Sequence, residues 1–223
     1  MDLLKTLPLF RGIGFSDLET MLGCIGARIK TVKKEEILLL AGSKPRYIGI
    51  VLGGQLQIAR DDYDGNRSLI ATAAVGDVYG ETLCCAGIPE SPVTVTAGTD
   101  ATVLLLRFSR ILHTCPNSCA FHAKLIGNML GIIAGKNLFL QFRMETISLK
   151  SVRARVLRYF ESLSAKRGRQ FSIPLNREEM ADYLCVERSA LSHELSRMKK
   201  DGLIEYCKNK FVLIKGGDKR YHH

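Results

Sequence analysis

The sequence predicts an α+β protein in three successive parts: an N-terminal domain of short strands, one long helix, and a C-terminal helical domain closed by a hairpin. Three observations carry this expectation. Short apolar runs recur between turn residues up to about residue 108. The apolar period then becomes helical from about 117 to 147, and basic residues concentrate after Lys150. The parts are expected at 1–116, 117–147 and 148–223.

The chain has 223 residues, enough for two cores, and 46% hydrophobic with 24% charged residues is ordinary for a soluble globular protein. Asp2, Lys5 and Arg11 interrupt the start, so no signal peptide is expected. Lys124, Lys136 and Arg143 cut the longest apolar stretches, so the sequence argues against a membrane span and for a cytoplasmic protein. Seven cysteines lack the spacing of a disulfide framework and are expected to be reduced.

In the first part, Ser16 with Glu19 predicts the capped start of a helix over 16–25. Strands follow over 37–40, 47–52, 56–59, 68–73, 93–97 and 102–108, separated by Gly42-Ser43, Gly53-Gly54, 61–66 and Gly76-Asp77. Asp64-Gly65 predicts a hairpin turn, and the strand spacing predicts a sandwich or barrel. Residues 80–92 read as a loop.

The long helix carries two apolar stripes. Ile126, Leu130, Ile133, Asn137, Leu140, Met144 and Ile147 advance by alternating fours and threes, which predicts a two-stranded seam with Asn137 setting register. A helix buried in a monomer core is the other reading. Leu125, Met129, Ile132 and Phe139 form a second stripe suited to packing on the strands.

After Ser148 come a helix over 152–163, a basic turn over 166–169 and a strand over 171–174. From Lys150 onward 17 Lys and Arg face 9 Asp and Glu, an excess of 8 out of the chain's net +10, which suits a polyanion or is simply a solvated basic face. Asn176 and Glu179 predict a capping box, with Met180, Ala181 and Leu184 on the inner face of a first helix. Leu191, Leu195 and Met198 form the inner face of a second. Its outer face shows Arg188, Ser189, Ser192, His193 and Arg197, groups that reach base edges from a helix in the major groove. Arg177, Lys199, Lys200 and the 208–210 turn are expected near phosphates. This is a helix-turn-helix with a wing, rather than an αα-hairpin used for packing alone. Two departures stand out: Cys185 occupies the turn where Gly is usual, and Glu194 fills a normally apolar slot, expected to be covered by Leu195.

Taken together, the chain resembles the CRP/FNR family of bacterial regulators over nearly its whole length. The residues carrying the resemblance are 47–58, the Val75-Gly-Asp-Val-Tyr-Gly-Glu81 run, and 188–195 followed by 198–204. The resemblance implies a cyclic-nucleotide-binding-like β-roll, a homodimer joined through the long helix, a palindromic double-stranded DNA operator and contact with RNA polymerase. It also implies an effector pocket at Gly80, Glu81, Thr82, Leu83, Cys84, Ser91, Pro92 and Val93. In cAMP-binding members an Arg-Ser pair follows the Gly-Glu by about eleven residues. Ser91 and Pro92 stand there instead, which removes the charge-assisted partner of a cyclic phosphate and argues against cAMP. The N-terminal cysteine cluster of the iron–sulfur branch is missing as well. A small-molecule effector, a haem or a redox signal stay open. His113, Cys115, Cys119 and His122 offer ligand or redox chemistry, or simply pack; no metal set with zinc-site spacing is expected. No Ser-His-Asp, paired-carboxylate or phosphate-loop pattern is found, so an enzyme is not expected.

Overall fold

The computed structural model describes residues 2–61, 67–112 and 120–214. Two compact units, Met1–Lys136 and Asn137–His223, meet inside the long helix. The Asp64-Gly65 turn, His113, Cys115 and Cys119 lie outside the described residues.

The first unit opens with α1 (Asp2–Thr6), a 3-10 turn at Pro8–Phe10 and α2 (Phe15–Cys24). Helix α2 begins one residue before Ser16, and Gly14 stands at its cap with no side-chain bond. The expected Ser16 cap is therefore corrected: the Ser16 carbonyl is already inside the helix and accepts from Thr20.

Eight strands follow: β1 (Arg28–Val32), β2 (Ile37–Leu39), β3 (Tyr47–Gly53), β4 (Leu56–Asp61), β5 (Arg67–Ala73), β6 (Val78–Tyr79), β7 (Thr94–Ala97) and β8 (Ala101–Arg107). They form two antiparallel sheets in the orders β1-β8-β3-β6 and β2-β7-β4-β5. Strand alternation sorts the apolar residues into two cores. Val51 and Val103 join Val32, Leu56, Tyr79, Val95 and Ala97 inside the roll. Ile48, Ile50, Leu104 and Leu106 face the other way, onto Leu9, Phe10, Leu18 and Met21. The Tyr79 ring lies over Gly49, where an added Cβ would sit 2.1 Å from the ring carbons, so the pairing of β3 with β6 needs glycine there. Within 80–92, read as a loop, a short helix α3 (Glu81–Cys85) forms; Gly80 starts it in a left-handed conformation, φ +76°. Helix α4 (Phe108–Leu112) ends this run of elements.

Helix α5 spans Ala120–Ser148. Leu125 and Met129 are buried in the Leu9/Phe10 core, and Asn128 donates to the Leu9 and Arg11 carbonyls at 2.9 Å. The second stripe stops there: Ile132 is half-buried and Phe139 is exposed, contrary to its expected packing. Along the seam, Ile126 and Ile133 are half-buried, whereas Leu130, Asn137, Leu140 and Met144 are exposed. By length and composition alone, an 18-residue stretch within Phe121–Ser148 reaches a mean hydropathy of 1.2, enough to cross a membrane, a property that a helix of a soluble protein can share.

In the second unit, α6 (Val152–Arg167), β9 (Gln170–Ser172), α7 (Arg177–Leu184), α8 (Arg188–Lys200), β10 (Ile204–Cys207) and β11 (Lys210–Leu213) enclose one core around Phe160, Phe171 and Phe211. The strands form a sheet in the order β10-β11-β9, so the expected hairpin gains a third strand. The tail of α5 belongs to this unit. Arg143 lies 5.2 Å from the Tyr183 ring centre, and Arg158 bonds Glu145 at 3.0 Å.

Candidate nucleic-acid interface and effector region

Helix α7 is held at its start, and both α7 and α8 are held at their turn and inner faces. Asn176 caps α7 by accepting from the Glu178 and Glu179 amides, both 2.9 Å, and the Glu179 carboxylate accepts from the Asn176 amide at 2.7 Å. The predicted capping box therefore forms. Ala181 is buried where a small residue lets the helices approach, and Leu191, Leu195 and Met198 are sealed beneath α8.

Between the helices, Cys185 adopts φ 52°, the left-handed region that normally selects glycine. Arg155 from α6 donates to the Cys185 carbonyl at 2.7 Å and to the Leu184 carbonyl at 3.2 Å, and reaches Leu149 at 2.9 Å. These bonds over-determine the turn and offset its strain. Glu194 is not covered by Leu195. It takes an ion pair from Arg153 at 2.5 Å, and the same guanidinium bonds Asp201 at 2.7 Å. The hydrogen bond to Glu194 is the main reason that Arg153 is held above its ordinary pKa. A polar residue sits in the apolar slot because α6 supplies its counter-charge. An open depression of about 560 Å³ lies beside this network, lined by Ser151, Arg153, Glu194, Arg197, Lys200 and Asp201.

The face of α8 opposite its core carries Arg188, Ser189, Ser192, His193 and Arg197, all exposed, with no side-chain hydrogen bond or ion pair among the described residues. Helical spacing puts Ser189, Ser192, His193 and Ser196 on one strip, with Arg188 on its wing side and Arg197 on the other. Two other expected DNA contacts are engaged within the protein. Arg177 donates to the Lys208 carbonyl at 3.0 Å and lies 5.2 Å and 5.0 Å from the Tyr206 and Phe211 ring centres. Burial lowers its pKa from the ordinary arginine value. Lys199 bonds Glu205 at 2.9 Å and stands 5.4 Å from the Tyr206 ring centre.

In the β-domain, the residues expected to line an effector pocket are split. Glu81, Cys84 and Ser91 are buried, Gly80, Leu83 and Val93 are half-buried, and Thr82 and Pro92 are exposed. The Ser91 hydroxyl is spent on the Val93 carbonyl at 2.7 Å. Cys84 points at the Tyr47 carbonyl, and burial first, then the charges of Cys85 and Glu81, push its thiol up to about 11. Glu81 is bound by a residue that sequence reasoning treated only as a charge breaking an apolar run: Lys136 of α5 bonds its Oε1 at 2.6 Å and the Val78 carbonyl at 2.8 Å. The only signal that would have found it is the need of a buried carboxylate for a cation. His122 is buried with both ring nitrogens unpartnered, and no group of three or more His, Cys, Asp or Glu suited to a metal occurs among the described residues.

Comparison with known proteins agrees with both regions. Residues 29–117 match the cyclic nucleotide-binding domain family, and residues 154–216 match the Crp-like helix-turn-helix domain family. The chain is 23% identical over 185 residues to the transcriptional activator protein FnrL of Cereibacter sphaeroides, covering 80% of this chain and 73% of that one. Among solved structures it is similar to the c-di-GMP-responsive global regulator CLP of Xanthomonas campestris, with a TM-score of 0.54 at 17% identity over 89% of this chain and 98% of that one. It is similar also to DNR of Pseudomonas aeruginosa, with a TM-score of 0.52 at 17% identity over 96% and 93%.

Proposed function

The chain belongs to the CRP/FNR family of transcription regulators, with a cyclic-nucleotide-binding-type domain and a DNA-binding helix-turn-helix, and on that premise we propose that it acts in the cytoplasm as a homodimer that reads a palindromic operator under the control of a signal sensed in its β-domain. The observation that carries this reading is the outer face of α8. Arg188, Ser189, Ser192 and His193 keep their hydrogen-bonding groups exposed and unspent on a helix whose opposite face is fully buried. Arg188 is the guanine reader, Ser189, Ser192 and His193 read neighbouring bases, Arg197 and Lys199 meet the backbone, and Arg177 supports the wing from within the protein.

The exposed apolar residues Leu130, Leu140 and Met144 support a seam between two copies, with Ile126, Ile133 and Asn137 completing it. Functionally the chain divides into the sensing domain at 1–116, the dimer helix at 117–147 and the DNA-binding domain at 148–223. Two recognition helices then meet successive major grooves ~34 Å apart. The effector acts by binding one dimer state better than the other, which moves the population toward the state that fits the operator. RNA polymerase is the further partner.

The effector site comprises Gly80, Glu81, Thr82, Leu83, Cys84, Ser91, Pro92 and Val93. Its chemistry is unlike that of a cyclic-phosphate site, because Ser91 is turned onto its own backbone and 91–93 bring no cation. Selection of bound sequences from random double-stranded DNA at two salt concentrations tests the whole reading. Enrichment of a palindrome is the expected result. Recovery of unselected DNA alone would mean either that the protein is inactive without its effector or that the basic domain does not read sequence and docks a protein instead, and repeating the selection with reductant and candidate ligands separates the two.

A further inference from the structure

Glu81 is the only carboxylate buried below a tenth of its surface among the described residues, at 3% exposure. Its Oε1 takes Lys136 Nζ at 2.6 Å and the Thr82 hydroxyl at 3.3 Å. The two ends of this ion pair are unequal, because the Lys136 side chain is 49% exposed. Removing the ammonium leaves a carboxylate inside the protein without its counter-charge, which is strongly unfavourable. Removing the carboxylate leaves a lysine that solvent already half covers, which costs little. An exchange at this site therefore proceeds in one direction: another donor arrives on Glu81, and Lys136 leaves for water. An anion drawn to Lys136 would strand Glu81 instead.

The same lysine ties two elements together. It grips Glu81 at the start of α3 and the Val78 carbonyl at the start of β6, while its own backbone lies in α5, next to the seam residue Asn137. We propose that the Glu81–Lys136 pair is the coupling element of the effector site: a ligand bearing a primary ammonium takes the place of Nζ on Glu81, and the released Lys136 lets α5 go from β6 and α3. This rests on the reading of the chain as an operator-binding regulator. Lys136 is a positioning residue, acting on DNA binding through α5.

The test uses the full chain and the operator fragment recovered by selection. Lys136→Ala is expected to change operator affinity about fivefold or more. Methylammonium chloride, which can donate to the vacated carboxylate, raises the Tm of the variant but leaves its operator affinity at the altered value, because α5 stays untied from β6 and α3. Tetramethylammonium chloride at equal ionic strength carries the charge without the N–H donors and leaves the variant unchanged. Lys136→Arg, which keeps the donors, behaves as wild type. A lowered Tm for Lys136→Ala with unaltered operator affinity would reduce the pair to a fold-stabilising contact and overturn the coupling. Equal responses to the two ammonium salts would overturn the ligand class. Should Lys136→Ala not fold, the wild-type protein carries the same test: methylammonium, and not tetramethylammonium, shifts its operator affinity, and two identical titrations refute the proposal. Failure of the underlying reading is distinct, since the wild-type protein would then select no operator at all.

Discussion

Glu81 is sealed into the β-domain and already holds its partner, whereas Arg188, Ser189, Ser192 and His193 stand in solvent with their hydrogen-bonding capacity unspent. Both are polar clusters on short stretches of chain, yet they invite different chemistry. An exposed group has its water to exchange for a base edge or a phosphate, at small cost. A buried and satisfied group responds only to a ligand that replaces its internal partner in kind. The difference teaches that residue type alone does not mark a group as available. Arg177 and Arg188 make the point within one domain: the same side chain is folded under the wing in one and left free in the other.

The largest way to break the comparison is to remove the scaffold beneath the exposed face. Phe160 is fully buried among Tyr159, Phe171 and Phe211, and Phe160→Ala is expected to lower stability by about 3–5 kcal/mol. Thermal unfolding followed by calorimetry measures this, with operator binding lost in parallel. Next comes the second copy. Leu140→Asp puts a charge on the proposed seam and should lower operator affinity about a hundredfold by uncoupling the two proposed half-sites. Sedimentation would show the dimer gone, and an intact dimer would place the seam elsewhere.

A finer cut separates the two arginines. Arg188→Ala should cost about 1–3 kcal/mol of operator affinity and relax specificity at one position, with Tm unaltered. Arg177→Ala should do the converse, lowering Tm by a few degrees through lost packing on Tyr206 and Phe211. If both variants behave alike in titration and melting, the distinction between free and engaged cations fails. The smallest effect concerns thiols. The Cys84 thiol is pushed up to about 11, so at mildly alkaline pH it stays protonated and resists alkylation, while exposed Cys185 and Cys207 are modified first. Peptide mass spectrometry after timed alkylation reads the order directly.

Much of the architecture was legible beforehand because it follows from local chemistry. The Asn176–Glu179 capping box and the helical periods of α5 to α8 depend on residues a few positions apart. The candidate DNA face was legible for the same reason, since Leu191, Leu195 and Met198 dictate which side of α8 turns outward. The misread elements share a different cause. Helix α3 inside the supposed loop is only five residues long and rests on the Gly80 conformation and on packing of Glu81 and Cys84. Phe139 has the right spacing for the inner stripe, but nothing covers it enough to bury it. Glu194 looked like a misfit because its counter-charge, Arg153, lies 41 positions earlier in the chain.

What the sequence by itself determined was the succession of a stranded part, a long helix and a helix-turn-helix part, the basic character of the last third and the inner and outer faces of the helix-turn-helix. Each of these rests on period, charge or capping within a single element. Only the tertiary structure decided which polar groups are spent. The partnership of Lys136 with Glu81 spans 55 residues, and that of Arg177 with the Lys208 carbonyl spans 31. The physical reason is that an ion pair or a cation over an aromatic ring depends on distance in space and on local burial, and neither is written in the spacing of residues along the chain.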